Sequence, residues 1–203
     1  MRFVCGLDEA GRGPLAGPVT AAAVFLPDDF PFGVLNDSKK LSEKKRVAAE
    51  TVIKEKALAW AIASVNEKEI DRINILQASL RAMKLAFEQA FEKLHAKLCA
   101  ESRASLCDFS VLCIADGNVL PDIGPLKNTD VVCEARVKAD AEIPAVMAAS
   151  ILAKTERDRI MCAYAQLYPA YGYEKHKGYP TAMHRKICRE IGPSPIQRMS
   201  FSY

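Results

Sequence analysis

No apolar run in this 203-residue chain approaches the ~20 residues that a membrane-spanning helix needs, so no such helix is expected. The opening stretch, Met1-Arg2-Phe3-Val4-Cys5-Gly6-Leu7-Asp8, is too short and too soon acidic for a signal peptide. The seven cysteines are odd in number and include no Cys-x-x-Cys pair. That sets aside a disulfide framework and points to free thiols in a reducing, cytoplasmic setting. There is no Walker A sequence, internal repeat, linker or low-complexity tract, so one domain is the economical expectation. Gly11 and Gly13 follow an apolar run, but Pro14 comes next and the stretch beyond reads as a strand. A dinucleotide-binding fingerprint requires a helix there.

Half of the residues are hydrophobic and 26% are charged, an ordinary globular composition. The net charge of +3 is unevenly spread. Residues 138–203 hold ten Lys or Arg against six Asp or Glu, and the remainder holds eighteen against nineteen. The positive excess in the last third fits a polyanionic partner gripped by that end, and fits a solvated helix surface equally well.

Apolar runs at 3–7 and 17–26 read as two strands joined by a Gly-Arg-Gly-Pro turn. Ser42 is a candidate N-cap for a helix through about Lys56. Residues 57–65 read as a third strand. Leu76, Leu80, Met83, Phe87, Phe91, Leu94 and Leu98 then step by threes and fours along an amphipathic helix. Strands are expected at 110–115 and 130–137. A helix over 144–165 opens with small residues, 169–180 reads as a loop, and a short helix spans 181–190. This order defines a mixed α/β chain with adjacent strands first and crossover-linked strands later.

Three apolar runs lead into carboxylates: Leu7 into Asp8-Glu9, Ala115 into Asp116, and Val137 through Lys138-Ala139 into Asp140. Ligand sites in α/β sheets gather beyond the carboxyl ends of the strands. If these strands are neighbours, four carboxylates converge and repel one another, a cost that a divalent cation removes. All-oxygen donors favour Mg2+ or Mn2+ over zinc. His95 and Cys99 stand one helical turn apart, with Cys107 and Cys113 beyond. That is not a recognised zinc spacing, and an ordinary helix face is expected.

The ordered motifs resemble bacterial ribonuclease HII, the type 2 ribonuclease H. They are Gly6-Leu7-Asp8-Glu9-Ala10-Gly11-Arg12-Gly13-Pro14-Leu15, Asn36-Asp37-Ser38-Lys39-Lys40-Leu41-Ser42 and Asp116-Gly117-Asn118. Val137-Lys138-Ala139-Asp140-Ala141, Ala148-Ala149-Ser150-Ile151-Leu152-Ala153-Lys154, Arg157-Asp158, His176-Lys177-Gly178-Tyr179-Pro180-Thr181 and the closing Arg198-Met199-Ser200-Phe201 follow. The resemblance covers nearly the whole chain. Arg12 rather than Lys between the glycines sides with HII over HIII, while Ala139 stands where many members have Gly.

The resemblance implies an RNase H-like fold, a central mixed β-sheet flanked by helices. It implies one catalytic domain over 1–203 with a C-terminal helical extension from about 166. It also implies endonucleolytic cleavage of RNA in RNA–DNA hybrids and incision beside a single ribonucleotide in duplex DNA, leaving 5′-phosphate and 3′-hydroxyl ends. The family's metal-binding acids fall on Asp8, Glu9, Asp116 and Asp140, holding two Mn2+ or Mg2+ ions with Asp8 as the bridge. Its ribonucleotide sensor falls on Gly11, Arg12, Gly13 and Tyr179, and its phosphate contacts on Lys39, Lys40, Asn118 and Lys177. The 2′-hydroxyl is the group that tells RNA from DNA locally.

A monomer with no membrane partner is expected. Residues 196–201 match a sliding-clamp peptide too weakly to support that partner. Arg157-Asp158 reads as a helix-surface or structural pair. The rival readings are a junction-cutting DNA nuclease of the same fold and a catalytically silent hybrid-binding module.

Overall fold

The computed structural model describes every residue except 37, 39, 102–108, 125, 127, 128 and 203. Five strands form one sheet in the order β3-β2-β1-β4-β5. They are β1 (Arg2–Ala10), β2 (Val19–Phe25), β3 (Ala59–Val65), β4 (Phe109–Asp116) and β5 (Thr129–Arg136). β1, β2 and β3 run antiparallel as consecutive neighbours, and β4 and β5 add parallel to β1.

Alternation along β1 divides the molecule into two layers. Cys5 and Leu7 face the core beneath α3 (Ile75–Glu101), which also packs on β2 and β3. Ala78, Ala82, Ala86 and Ala90 share the buried stripe of α3 with Met83, Phe87, Phe91 and Leu94. The expected hydrophobic ladder is therefore half alanine, which lets the helix lie close to the sheet. Gly6 and Asp8 point to the other face, covered by α5 (Pro144–Leu167). The small residues at the head of α5 do the work expected of them: Ala145, Ala148, Ala149 and Ala153 are all buried. A side-chain carbon on Gly6 would stand 2.1 Å from the Ala145 carbonyl carbon.

Ser42 caps α1 (Glu43–Lys56) by accepting from the Lys45 amide, as expected. The sequence reading missed α2 (Glu67–Ile73), whose Asn66 cap accepts from the Glu69 amide. The expected loop at 169–180 instead contains a 3-10 turn, Pro169–Tyr171, and a single helical turn, α6 (Tyr173–His176). The last helix, α7 (Ala182–Ile191), begins at its Thr181 cap. Asp140 does not end a strand: β5 stops at Arg136, and Asp140 lies in the short helix α4 (Ala139–Glu142). Lys138 adopts a left-handed conformation (φ 63°) between them and turns the chain back over the sheet end.

The described cysteines are free thiols. Cys5, Cys113 and Cys133 stand side by side across β1, β4 and β5. His95 and Cys99 pair on an exposed helix surface, Nδ1 to Sγ 3.6 Å. Cys113 is buried in the sheet, so it does not join them, and Cys107 lies outside the described residues. No described helix is long and apolar enough to cross a membrane.

Candidate active site

The parallel register of β1 and β4 pairs Leu7 with Ala115, so Asp8 and Asp116 follow at adjacent strand ends. Asp140 arrives from α4, just beyond β5. Carboxylate oxygens of Asp8, Asp116 and Asp140 all lie within 4.8 Å of one another. Asp8 and Asp140 are buried, 5% and 6% exposed, and Asp116 is half-buried. Glu9, the next residue along β1, stands outside that close trio. It lines the same cavity, with Arg12 Nη1 3.4 Å from its Oε1.

Crowding costs these acids their ordinary acidity. Burial pushes the Asp8 carboxyl well up, the Glu9 and Asp116 charges add to the rise, and a hydrogen bond from Ser150 opposes it. Burial also raises Glu9, with Arg12 countering and Asp116 reinforcing. Such a set of oxygen donors fits a hard divalent cation, which would pay back the repulsion.

The cavity, about 240 Å³, joins the acids to the expected sensor. Its walls include Asp8, Glu9 and Asp116 together with Gly11, Arg12, Gly13 and Tyr179. Tyr179 is 39% exposed, and its ring is 3.9 Å from where a side-chain carbon on Gly13 would be. Ser38, Ser150 and Lys154 also line it, and the sequence reading had not singled them out. Ser38 and Ser150 share a hydrogen bond of 2.8 Å. Ser150 and Lys154 are one helical turn apart on α5, a spacing that offered a signal. Lys154 Nζ donates to Asp158 Oδ1 at 2.6 Å and stands 5.9 Å from the Tyr179 ring centre.

Among the described residues, the expected phosphate contacts Lys40, Asn118 and Lys177 do not line this cavity. Asn118 and Lys40 are exposed beside it in sequence. The Lys177 ammonium instead donates to the Glu174 carbonyl at 2.8 Å and lies 2.9 Å from Cys162 Sγ. Lys39 lies outside the described residues.

Arg157 is no surface residue. It is fully buried, and its guanidinium donates to the carbonyls of Ala16, Pro18 and Lys177 at 3.2, 3.0 and 3.0 Å. Asp158 pairs separately with Arg46 and Lys154. Arg198, also fully buried, donates to the carbonyls of Gly11, Arg12, Pro14, Gly17 and Pro18. Burial, with the Arg157 charge beside it, pushes Arg198 down to about 9, and burial brings Arg157 to about 10. Sequence reasoning missed both anchors, because a backbone carbonyl leaves no mark in the sequence.

A five-stranded mixed sheet with helices on both faces, and acids gathered at the ends of its parallel strands, defines a hydrolase of the RNase H-like fold. The family model for Ribonuclease HII matches residues 5–203. The chain is 52% identical over 200 residues to the ribonuclease HII of Treponema denticola, covering 98% of each. It also matches the crystal structure of ribonuclease H2 from Pyrococcus horikoshii, with TM-score 0.69, 25% identity, and 98% and 93% of the two chains covered. Bst-RNase HIII in complex with Mn2+ shares the fold at TM-score 0.62 and 18% identity, over 98% of this chain and 67% of that one. The chain belongs to the ribonuclease HII family: it is a ribonuclease H, of a divalent-metal-dependent kind that hydrolyses the RNA strand of RNA–DNA hybrids.

Proposed function

We propose that this ribonuclease H also incises duplex DNA on the 5′ side of a single embedded ribonucleotide, leaving 5′-phosphate and 3′-hydroxyl ends. The observation that carries the reading is one small cavity lined both by acids and by the Gly11-Arg12-Gly13 turn with Tyr179. A phosphodiester placed against the acids puts its neighbouring sugar against the turn. Backbone groups there meet the 2′-hydroxyl, since glycine lets a ligand come close to the chain. Tyr179 packs on the following deoxyribose, where a second 2′-hydroxyl would obstruct it.

Asp8, Glu9, Asp116 and Asp140 would hold the metal, Mg2+ or Mn2+, with two ions in place during catalysis and Asp8 shared between them. The buried, mutually repelling oxygen donors support this, and Bst-RNase HIII was crystallised with Mn2+. Bound divalent ions supply water activation and stabilisation of the leaving oxygen. The chain itself places the phosphate, orients the sugar and holds Asp8 through Ser150. Lys40, Asn118 and Lys177 remain candidates for phosphate contacts outside the cavity.

We treat the protein as acting alone on the duplex, in the cytoplasm. Of the stretch that weakly resembles a clamp-binding peptide, Ile196, Gln197 and Arg198 are 4%, 3% and 0% exposed, packed into their own chain, while Met199 is 66% exposed. The deciding experiment is incubation of a duplex carrying one ribonucleotide with Mg2+ or Mn2+, with the cut mapped at nucleotide resolution. Cleavage 5′ of the ribonucleotide is expected. Cleavage of all-DNA junctions with the ribonucleotide duplex left intact would refute the reading.

A further inference from the structure

The closing motif Arg198-Met199-Ser200-Phe201 has no place in the chemistry just described, yet its arginine lies directly under the turn that faces substrate. The turn carries three short backbone links to the C-terminal part of the chain. The Leu15 amide donates to the Gly178 carbonyl at 2.8 Å, the Gly17 amide to Ile196 at 2.9 Å, and the Arg198 amide to Leu15 at 2.8 Å. The Arg198 side chain then enters the concave side of the turn. Nη2 reaches Gly11 (2.7 Å) and Pro18 (3.0 Å), Nη1 reaches Arg12 (3.1 Å) and Pro14 (2.9 Å), and Nε reaches Gly17 (2.9 Å). No carboxylate takes part in these contacts.

The consequence follows from peptide geometry. In a trans peptide the C=O and the next N–H point in opposite directions. Drawing the Gly11 and Arg12 carbonyls inward onto Arg198 therefore turns the Arg12 and Gly13 amides outward. Arg12 and Gly13 are the exposed residues of the turn, and both line the cavity. Gly11 has φ +102°, and a side-chain carbon there would lie 2.1 Å from Arg157 Nε, so this backbone path is open to glycine alone.

We propose that Arg198 is a positioning residue for substrate recognition: its guanidinium sets the peptide planes of the Gly11–Gly13 turn so that their amides meet the ribose. Arg157 extends the same frame, since it shares the Pro18 carbonyl with Arg198 and holds the Lys177 carbonyl two residues before Tyr179. Both halves of the sensor are thus referenced to one pair of buried cations. The segment is pinned from outside by Asp71, whose carboxylate accepts from the Met199 and Ser200 amides at 2.9 Å each. Phe201 stacks below, with its ring centre 5.2 Å from the Arg198 guanidinium carbon.

This inference rests on the proposed role of the turn, and the test separates the two. Arg198→Lys keeps the charge but cannot reproduce the planar fork. Variant and wild-type full-length proteins are compared by amide hydrogen exchange, by Mn2+ titration and by cleavage of the single-ribonucleotide duplex. Exchange at the Leu15 and Gly17 amides, which donate to the Gly178 and Ile196 carbonyls, is expected to quicken at least about tenfold while the strands stay protected and Mn2+ affinity is unchanged. The kcat for incision is expected to fall about 10–100-fold, the range for lost hydrogen bonds to a charged donor, with KM changing far less.

Wild-type exchange at Leu15 and Gly17, or a uniform rise across all strands, overturns the proposal. So does a wild-type kcat. If Arg198→Lys does not fold, Asp71→Asn decides, because it loosens the same segment without touching the guanidinium. Faster exchange at Leu15 and Gly17 supports the proposal and unchanged exchange overturns it. If wild type fails to incise the duplex, the proposed function falls, and the exchange arm alone still decides on Arg198.

Discussion

Gly6→Ala is the sharpest test of how the fold sets the site. Gly6 lies on β1 between Val24 and Ile114, facing the first turn of α5. The added carbon would stand 2.1 Å from the Ala145 carbonyl carbon, and 2.3 Å from both its oxygen and the Val146 nitrogen. These are backbone atoms, so no rotamer change relieves the clash. Reaching an ordinary 3.4 Å contact from 2.1 Å means a retreat of 1.3 Å by strand or helix. Overpacking of this kind costs about 1–3 kcal/mol. In a chain of this size that lowers Tm by roughly 2–12 °C.

The functional effect should exceed the stability effect. α5 brings Ser150 and Lys154 into the cavity, and α4, immediately before it, brings Asp140. A shift of about 1 Å at reacting groups costs on the order of 100-fold in rate. Thermal unfolding in EDTA and steady-state hybrid cleavage with Mn2+, well below both midpoints, measure the two effects. A Tm within about 1 °C of wild type, together with a kcat within about twofold, would refute the claim that this contact fixes α5.

Two further outcomes concern titratable groups. Burial, then Glu9 and Asp116, holds the Asp8 carboxyl above its unfolded value, so the folded chain binds the extra proton. Metal-free stability should therefore fall as pH rises through that window, and Asp8→Asn should raise Tm in EDTA at about pH 8 while cutting cleavage more than about 100-fold. A lower Tm for that variant would contradict the repulsion argument. His176 and His184 stack at 4.4 Å beneath the Tyr179 loop, and burial lowers both below their ordinary value. Their contribution to stability is present above about pH 6.5 and lost as pH falls toward the folded values, about 1.4 kcal/mol per ring for each tenfold loss of proton affinity. Ring-proton NMR titration checks this, and midpoints at the ordinary histidine value would refute it.

The acids at strand ends were legible because parallel neighbours bring their carboxyl ends together, and β1 and β4 are such neighbours. Asp140 was legible as a member of the set but not in its placement. The turn that returns it depends on a left-handed Lys138, a conformation that lysine rarely takes and does not advertise. α2 escaped because seven residues carry too little periodicity, although the Asn66 and Glu69 spacing marks its cap. The small residues at the head of α5 declared close packing, and the structure uses them for it, whereas the alanines of the α3 stripe went unread behind its larger residues. Arg157 and Arg198 were the hardest to read. A buried cation usually signals a carboxylate partner, and these two are satisfied by carbonyls contributed by folding alone.

The Arg198 contacts also order events in the life of the chain. Gly11 is synthesised 187 positions before the guanidinium that holds its carbonyl. Synthesis runs from the N-terminus, so the turn is made well before its anchor exists. A nascent or C-terminally clipped molecule would hold the cutting groups without the frame that selects where they act. Arg198 is thus made after the strands that carry Asp8 and Asp116, so the groups proposed for cutting precede the frame proposed for choosing.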